Sequence, residues 1–154
     1  MVDGVGTTSY QHDTLYRITS VTDPFNKTVG YEYDLRGNRT KLIYPDNREV
    51  VYEYDGDGRL DKVIDWNAAE TVYAYDAASR LETTTLPNGV VATNIYDDAN
   101  RLEKLTYLAS NGDLIAEFDY QLDDVGNRVG VIETLTLPGA AQEMTAFLEQ
   151  NGEL

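Results

Sequence analysis

The chain of 154 residues contains no cysteine and one histidine, and these two shortages remove several kinds of chemistry. Without cysteine there is no disulfide framework, no thiol nucleophile, no thiolate-bound zinc and no iron–sulfur cluster. The single histidine, His12, cannot form a site of several histidines, and no glycine-rich phosphate loop or serine nucleophile motif is present. We therefore expect no catalytic residue and no cofactor in this chain.

Positive charge is also scarce, with 12 lysines and arginines against 27 aspartates and glutamates and a net charge of −15. This sign opposes binding to nucleic-acid phosphates and to anionic membrane surfaces. No apolar run approaches the roughly 18 residues that cross a bilayer, and the first residues lack the basic and apolar layout of a signal peptide. The sequence thus predicts no nucleic-acid partner, no membrane insertion and no signal peptide in this chain.

Tyrosine, in contrast, is abundant, with twelve residues against three phenylalanines and one tryptophan. Tyrosine is favoured on half-buried sheet surfaces, where the ring packs and the hydroxyl stays wet, so the excess indicates strands. Several tyrosines precede an aspartate in pairs that recur every 21 residues: Tyr33-Asp34, Tyr54-Asp55, Tyr75-Asp76 and Tyr96-Asp97. Looser copies lie around Asp13 and around Asp123, and the latter follows Asp97 after a five-residue insertion.

Other positions keep the same spacing and define the repeat unit. The third residue after each aspartate is mostly glycine or small and polar, types that tolerate positive φ: Tyr16, Gly37, Gly58, Ser79, Asn100 and Gly126. The next residue is arginine or asparagine: Arg17, Asn38, Arg59, Arg80, Arg101 and Asn127. A second turn is expected at Pro24, Pro45, Trp66, Pro87 and Asn111-Gly112.

Between the two kinds of turn the residues alternate, as in a strand with one packed face. Tyr31, Tyr52 and Tyr73 repeat in this pattern, and Glu32 and Glu53 point the other way. Each unit is therefore two strands and two turns, and six units make about a dozen strands, which is too wide for a flat open sheet. The sequence predicts an all-β fold, a coiled antiparallel sheet of six strand-turn-strand repeats.

We interpret the tyrosine–aspartate pairs as structural, because six similar sites spread along a sheet do not form one catalytic centre. The aspartate is expected to accept backbone hydrogen bonds within the turn, while the tyrosine packs on the sheet. The predicted structural signature comprises Tyr31, Tyr33, Asp34, Gly37, Tyr52, Tyr54, Asp55, Gly58, Arg59, Tyr73, Tyr75, Asp76, Arg80, Tyr96, Asp97, Arg101, Asp123 and Gly126.

An incomplete calcium-loop pattern coincides with one of these turns. Asp55, Asp57 and Asp61 place carboxylates at alternate positions, but Trp66 stands where such a loop needs a bidentate glutamate. Calcium binding at these three residues is therefore the only metal candidate, and the turn interpretation is preferred.

The segment Tyr52-Glu53-Tyr54-Asp55-Gly56-Asp57-Gly58-Arg59-Leu60 resembles the YD repeat of the Rhs family, which is shared by bacterial polymorphic toxins, shell components of Tc insecticidal toxins and animal teneurins. The variants Gly37-Asn38-Arg39 and Gly126-Asn127-Arg128 are similar to the same repeat. The resemblance implies strand-turn-strand units that wind into a hollow β shell, which in large relatives encloses a toxic C-terminal domain. It also implies a bacterial protein that is extracellular or on the cell surface.

The predicted organisation has three parts. Residues 1–9 lead into the sheet, residues 10–137 form the YD-repeat region, and residues 138–154 form a C-terminal cap. In the cap, Ala141, Met144, Phe147 and Leu148 have helical spacing, which predicts a short helix that covers the last sheet edge or docks on a neighbouring copy. Since six repeats make only part of a shell wall, we expect a piece of a longer protein or a small stand-alone member.

Two main hypotheses of function follow. The preferred one is a non-enzymatic structural module, part of an extracellular or toxin-associated β shell, whose partners are neighbouring repeats or further copies joined into a fibre through edges near residues 7–10 and 129–135. The alternative is a carbohydrate- or protein-binding module that uses the tyrosine-rich face. Tyrosines that line a solvent-filled concavity would favour recognition, and tyrosines buried against one another would favour the shell. A third hypothesis places the chemistry on sequence outside this chain.

Overall fold

The computed structural model describes residues 2–3, 6–136 and 143–149, with side chains for residues 6–136, and every regular element in them is a β-strand. No helix long and apolar enough to cross a membrane occurs in this part of the chain. In chain order the strands are β1 Val2–Asp3, β2 Gly6–Thr7, β3 Ser9–His12, β4 Ile18–Thr22, β5 Thr28–Tyr33, β6 Arg39–Ile43, β7 Glu49–Tyr54, β8 Leu60–Ile64, β9 Glu70–Tyr75, β10 Leu81–Thr85, β11 Val91–Tyr96, β12 Leu102–Leu108, β13 Leu114–Leu122, β14 Arg128–Thr136 and β15 Glu143–Glu149.

The chain divides into two units, Met1–Thr71 and Val72–Leu154, and each contains an open antiparallel sheet built from consecutive hairpins. In the first unit the strand order is β3-β4-β5-β6-β7-β8, and in the second it is β9-β10-β11-β12-β13-β14-β15, where Val72–Tyr75 is the part of β9 that belongs to the second unit. Strands β1 and β2 form a separate hairpin. Strand order follows chain order because tight turns connect neighbouring antiparallel strands. The predicted all-β antiparallel architecture is confirmed.

The eleven turns that join β3 to β14 share one geometry, a type I turn followed by a residue with left-handed φ. At the turn that begins at Asp55, the Asp55 N–H donates to the Arg59 carbonyl at 2.9 Å, and the Gly58 N–H donates to the Asp55 carbonyl at 3.0 Å. The fourth turn residue has φ between 59° and 94° in every case. Positive φ at the predicted column is therefore confirmed, even at Tyr16, where φ is 61°.

A β-bulge follows each tyrosine–aspartate turn and places one residue of the returning strand without a direct partner. Between β7 and β8 the register passes from Glu53 opposite Lys62 to Tyr54 opposite Leu60, so Asp61 is the extra residue. Such a bulge bends and twists the strand locally. It also places Asp61 on the strand, beyond the turn that contains Asp55 and Asp57.

The two faces of the first unit's sheet differ in chemistry. Tyr31 and Val50 both pair with Leu42 and share one face with it, while the opposite face carries charged side chains. On that charged face Lys41 lies 3.0 Å from Glu49. Side chains thus alternate between the two faces, as predicted from the period-two pattern, although the face that carries Lys41 and Glu49 also carries Ile43 and Val51.

Neither unit has a deep hydrophobic core in the described residues. Val50 and Ala116, each 8% exposed, are the most deeply buried hydrophobic side chains among them. Most other strand side chains are half buried. Since hydrophobic stabilisation scales with the apolar area removed from water, hydrogen bonds in the ladders and turns have a larger share in stabilising this sheet.

The predicted C-terminal helix is not formed where the structure describes the segment. Residues Glu143–Glu149 form strand β15, which pairs antiparallel with β14 from Gly130 opposite Glu149 to Thr136 opposite Glu143. The unpaired N–H and C=O groups of an edge strand favour an added strand. In the sequence Met144, Ala146 and Leu148 have the alternate spacing of a strand, whereas Phe147 fits only the helical pattern. The C-terminal edge predicted near residues 129–135 is therefore paired, and the part boundaries proposed above stay predictions. Ala141 lies outside the described residues.

Two glycines of one turn provide a test of the φ requirement. Gly58 has φ of 83°, and a Cβ added there would meet no atom closer than 3.8 Å, whereas Gly56 has no left-handed φ and nothing within 4 Å of such a Cβ. Gly58→Ala should therefore destabilise the protein by about 1 kcal/mol, because only the backbone conformation is strained. Urea denaturation of both variants checks this, with Gly56→Ala as the matched control. Equal stability of the two variants would contradict the assignment.

Candidate functional site

Each of the six repeats begins its first turn with an aspartate whose carboxylate is fully engaged. One carboxylate oxygen accepts the N–H groups two and four residues later at 2.8–3.0 Å. The other oxygen accepts the side chain of the fourth residue at 2.6–3.0 Å, from an arginine Nε or an asparagine Nδ2. The aspartates are Asp13, Asp34, Asp55, Asp76, Asp97 and Asp123. The predicted turn role of this column is what the geometry shows.

The arginine of a turn also reaches the following repeat. Arg17 contacts the Asp13 carboxylate through Nε at 2.6 Å and donates from Nη1 to the Asp34 carbonyl at 2.9 Å. Its guanidinium lies over the Tyr33 ring, 4.8 Å from the centroid. Tyr33 in turn donates its hydroxyl hydrogen back to the Ile18 carbonyl at 2.8 Å. We call this set, Asp13, Arg17 and Tyr33 with their two carbonyl acceptors, the clasp.

The second unit contains a similar clasp, in which the carbonyl of Asp97 lies 3.5 Å from Arg80 Nη1. Arg80 contacts Asp76 at 2.6 Å and stacks over Tyr96 at 4.6 Å, and the Tyr96 hydroxyl donates to the Leu81 carbonyl at 2.9 Å. Arg80 Nη1 donates to the Asn100 side-chain oxygen at 2.8 Å. The clasp therefore joins consecutive repeats in both directions, because the arginine reaches forward and the tyrosine reaches back.

The asparagine variant of the repeat obtains these contacts from other residues. Asn38 is too short to reach the next turn, and Arg36 instead donates to the Gly56 carbonyl at 2.9 Å. Arg39 lies over the Tyr52 ring at 4.7 Å, and the Tyr54 hydroxyl donates to the Arg39 carbonyl at 2.9 Å. Sequence reasoning missed these roles of Arg36 and Arg39, although asparagine in the arginine column was the signal that another donor was needed.

Hydrogen bonds hold the pKa of the turn aspartates below the ordinary value. For Asp55 the hydrogen bond from the Arg59 N–H is the largest influence and lowers the pKa. Partial desolvation raises the pKa, and the hydrogen bond from the Arg59 side chain lowers it again. For Asp34 desolvation is the largest influence and raises the pKa, but hydrogen bonds from Asn38, Arg36 and Gly37 together outweigh it. The carboxylates are thus held ionised as hydrogen-bond acceptors, which is the opposite of what a general acid requires.

The remaining predicted residues lie at equivalent positions of the sheet. Tyr31, Tyr52 and Tyr73 are half buried on the strands. Arg101 repeats the arginine contacts of the clasp, to Asp97 at 2.6 Å and to the Asp123 carbonyl at 3.1 Å, although Leu122 stands where the clasp has its tyrosine. Gly126 underlies that arginine, since a Cβ added at this glycine would lie 3.1 Å from Arg101 Cδ. Tyr75 and Arg59 occupy the same columns, and Arg59 contacts Asp55 at 2.7 Å.

The three calcium candidates are not brought together. Both oxygens of Asp55 accept hydrogen bonds within its turn, Asp57 lies 3.6 Å from Arg59, and Asp61 is the bulge residue of β8. No group of three or more metal-ligating side chains occurs among the residues whose side chains are described. Calcium binding there stays a prediction that this geometry does not favour.

The second turns, at the other end of the strands, have the same backbone geometry but more varied residues. Asp23 and Asp65 each accept two turn N–H groups at 2.7–2.9 Å, as the repeat aspartates do. Two turns begin with Tyr44 and Leu86, which have no carboxylate. There the side-chain oxygens of Asp46 and Asn88 accept the N–H groups of Arg48 and Val90 instead. Side chains at this edge are therefore less constrained by the turn than those in the clasp.

Comparison with known proteins supports the resemblance seen in the sequence. Residues 17–49 match the family model described as RHS Repeat, and no curated protein matches the chain. The fold is similar to that of a Photorhabdus luminescens Tc holotoxin pore carrying a TccC3 mutation, at 19% identity and a TM-score of 0.67 over 79% of this chain and 6% of that one. It is also similar to TcdB2-TccC3 without the hypervariable C-terminal region, at 17% identity and a TM-score of 0.68 over 95% of this chain and 8% of that one.

The predicted RHS repeat is thereby confirmed at residues 17–49, and the antiparallel sheet is a fold also found in the Tc toxin components. The chain spans less than a tenth of the length of these solved chains.

Removal of one hydroxyl group tests how much the tyrosine hydrogen bond of the clasp contributes to stability. Tyr54→Phe should destabilise the protein by about 1 kcal/mol, because the Arg39 carbonyl loses its donor. Tyr52→Phe is the matched control, since its hydroxyl has no hydrogen-bond partner in the described part of the chain. Chemical denaturation measures both. If Tyr52→Phe cost as much as Tyr54→Phe, the clasp hydrogen bond would not be responsible.

The lowered pKa of the turn aspartates predicts acid sensitivity. A carboxyl with a lower pKa in the folded state contributes stability that is fully present above its unfolded pKa and is lost as pH falls through the folded pKa. The pKa of each of the six turn aspartates lies below the ordinary value of 3.8. The stability of the fold should therefore be retained down to about pH 4–5 and fall at lower pH.

Asp55→Asn tests this dependence at one turn. Its stability deficit relative to the unmodified chain should be largest near neutral pH and shrink as pH falls below the ordinary aspartate value of 3.8. Urea midpoints at a series of pH values measure it. The exposed Asp98→Asn variant has the same change in charge and should show little deficit. A deficit for Asp55→Asn that did not change with pH would contradict the prediction.

Proposed function

We propose that this chain is a structural repeat module that forms a section of β wall in a larger, toxin-associated shell, and that it acts without catalysis. The observation that carries the proposal is the clasp. Its charged and aromatic side chains are used for contacts that connect one repeat to the next, at Arg17 and Tyr33 in the first unit and at Arg80 and Tyr96 in the second. Such contacts stiffen a sheet that has little hydrophobic core.

The state of the carboxylates supports a non-enzymatic role. A general acid or base needs a proton site that substrate can reach, whereas each turn aspartate already accepts three hydrogen bonds, as Asp55 does from Asp57 and Arg59. Their low pKa has the same cause. The residues that sequence analysis singled out therefore favour structure over chemistry.

The tyrosine face supports the wall in preference to ligand recognition. Arg39 lies over the Tyr52 ring at 4.7 Å and 6.0 Å from the Tyr31 centroid, so these rings already have a cationic partner. Both rings are half buried. Carbohydrate or peptide binding on the tyrosine-rich face stays an alternative prediction without a specific contact in its favour.

The wall is expected to continue at the edge of the first unit. Strand β3 is exposed along Ser9–His12 and has β4 as its partner among the described strands. An unpaired strand edge is a template for another strand, here the neighbouring repeats of a longer chain or a second copy. The net charge of −15 opposes indiscriminate association and favours matched ends. We place the assembly outside the cell or at its surface, as the Rhs resemblance implies.

Association through β3 can be measured directly. Sedimentation velocity across a concentration series should show assemblies that grow with concentration, and Gln11→Lys should abolish them, because a charged side chain on an edge strand opposes strand addition. Ala99→Lys, on an exposed turn, adds the same charge and should assemble like the unmodified chain.

Each other outcome of this experiment counts against the proposal. A monomer at every concentration would contradict continuation of the wall at β3 by self-association. Loss of assembly in both variants would assign association to net charge and not to the edge strand.

A further inference from the structure

We propose that an open cleft between the fifth and sixth repeats binds a phenol ring, at the place where other repeats have the clasp tyrosine. The cleft is lined by Leu102, Tyr120, Leu122 and Arg128, and its volume is about 410 Å³. Openings of this size hold small ligands in other proteins. All four residues belong to the second unit, so the site is complete within one chain and does not require the wall to assemble.

The clasp tyrosine bridges a point where neighbouring strands separate. Pairing of β4 with β5 runs no further than Ser20, so Ile18 lies beyond it. The Tyr33 hydroxyl donates to the Ile18 carbonyl at 2.8 Å, and the Tyr96 hydroxyl donates in the same way to the Leu81 carbonyl at 2.9 Å. An aromatic ring with a terminal hydroxyl therefore spans the gap between the strands.

The equivalent gap between the fifth and sixth repeats has no tyrosine across it. Pairing of β12 with β13 runs no further than Lys104, so Leu102 lies beyond it as Ile18 does in the first repeat. Leu122 stands in the tyrosine column, directly before Asp123. A leucine is shorter than a tyrosine and has no hydroxyl to donate to the Leu102 carbonyl. The cleft therefore lies where a clasp tyrosine would bridge the two strands.

The lining supplies the contacts that a phenol ring requires. Leu102 and Leu122 provide apolar surface, and the Leu102 carbonyl, at the position of the Ile18 carbonyl, can accept from the phenol hydroxyl. The remaining wall is the Arg128 guanidinium over the Tyr120 ring, 5.3 Å from its centroid, against which a further aromatic ring can pack. A hydrocarbon ring would leave the carbonyl without a donor, and an aliphatic alcohol would not stack on this wall.

Titration with p-cresol tests the site. In protein labelled with ¹³C at the leucine methyl groups, the Leu102 and Leu122 signals should shift in a saturable manner, while those of Leu42 in the other unit stay unchanged. The matched ligand is 4-methylanisole, which cannot donate to a carbonyl and should bind about fivefold more weakly. No saturable shift with p-cresol, or an affinity for 4-methylanisole that is equal or higher, would overturn the proposal.

A pair of tyrosine variants localises the site. Leu122→Tyr fills the cleft with a clasp tyrosine and should abolish p-cresol binding. Val125→Tyr adds the same side chain on an exposed turn outside the lining and should leave the affinity unchanged. Persistent binding in Leu122→Tyr, or loss of binding in both variants, would overturn the assignment of the site.

The reverse change should create a second site. Tyr33→Leu opens the gap at the Ile18 carbonyl, where Tyr31 and Arg39 stand in the columns of the two residues that form the cationic and aromatic wall. The number of p-cresol molecules bound per chain should therefore rise from one to two. If Leu122→Tyr did not fold, this variant would still decide, since a Tyr33→Leu chain that binds one molecule contradicts the role assigned to the missing tyrosine.

A free phenol and a tyrosine side chain of another polypeptide present the same ring. N-acetyl-L-tyrosinamide carries that ring on a peptide-like backbone, and because the cleft is open we expect it to bind as p-cresol does. Binding of p-cresol alone would support the phenol site and restrict it to free phenols. Binding of neither would overturn it.

Discussion

The aspartate that begins each first turn is the constraint on which the sheet depends. Its carboxylate accepts two backbone N–H groups and one side-chain donor, so a single residue determines both the path of the turn and the position of the arginine four residues later. Isolated exposed ion pairs contribute little to stability. Here the Arg17–Asp13 pair is part of a network that continues to the Asp34 carbonyl and the Tyr33 ring, and its geometry is set by the turn.

This network explains how a sheet with almost no buried core can be ordered. With Val50 and Ala116 as the most deeply buried hydrophobic side chains described, burial supplies less stabilisation than in a two-layered domain. Contacts between neighbouring repeats compensate: Arg17 and Arg80 donate to the following repeat, and Tyr33 and Tyr96 donate back to the preceding one. The use of Arg36 in place of the missing arginine at Asn38 shows that the contact is retained while the residue that makes it changes.

Much of the fold was predictable because each repeat needs the same two turns and the same residue with positive φ, at a constant spacing. The period of 21 residues located both kinds of turn, and the column of glycine and small polar residues indicated positive φ. Prediction failed where a segment occurs only once and no repeated pattern indicates its structure. The segment after β14 has no second copy, so helical and strand spacing could not be distinguished there, and β15 forms because the β14 edge offers hydrogen bonds. The roles of Arg36 and Arg39 were missed because these residues lie outside the column that supplies the arginine in the other repeats.

The two rows of turns, at opposite ends of the strands, differ in how much they constrain their side chains. At the clasp turns the carboxylates and their arginine or asparagine partners have structural roles, so a substitution there removes contacts within the turn and, where an arginine is lost, with the next repeat. At the opposite edge the turn can be held by Asp23, by Asp46 or by Asn88 at different positions, so the backbone is secured while the side chains differ. Trp66 contacts both Arg48 and Tyr44 at these turns, and the backbone hydrogen bonds of the turns do not use those three side chains. A sheet built from such repeats can therefore vary its side chains at one row of turns while the contacts at the other row are kept.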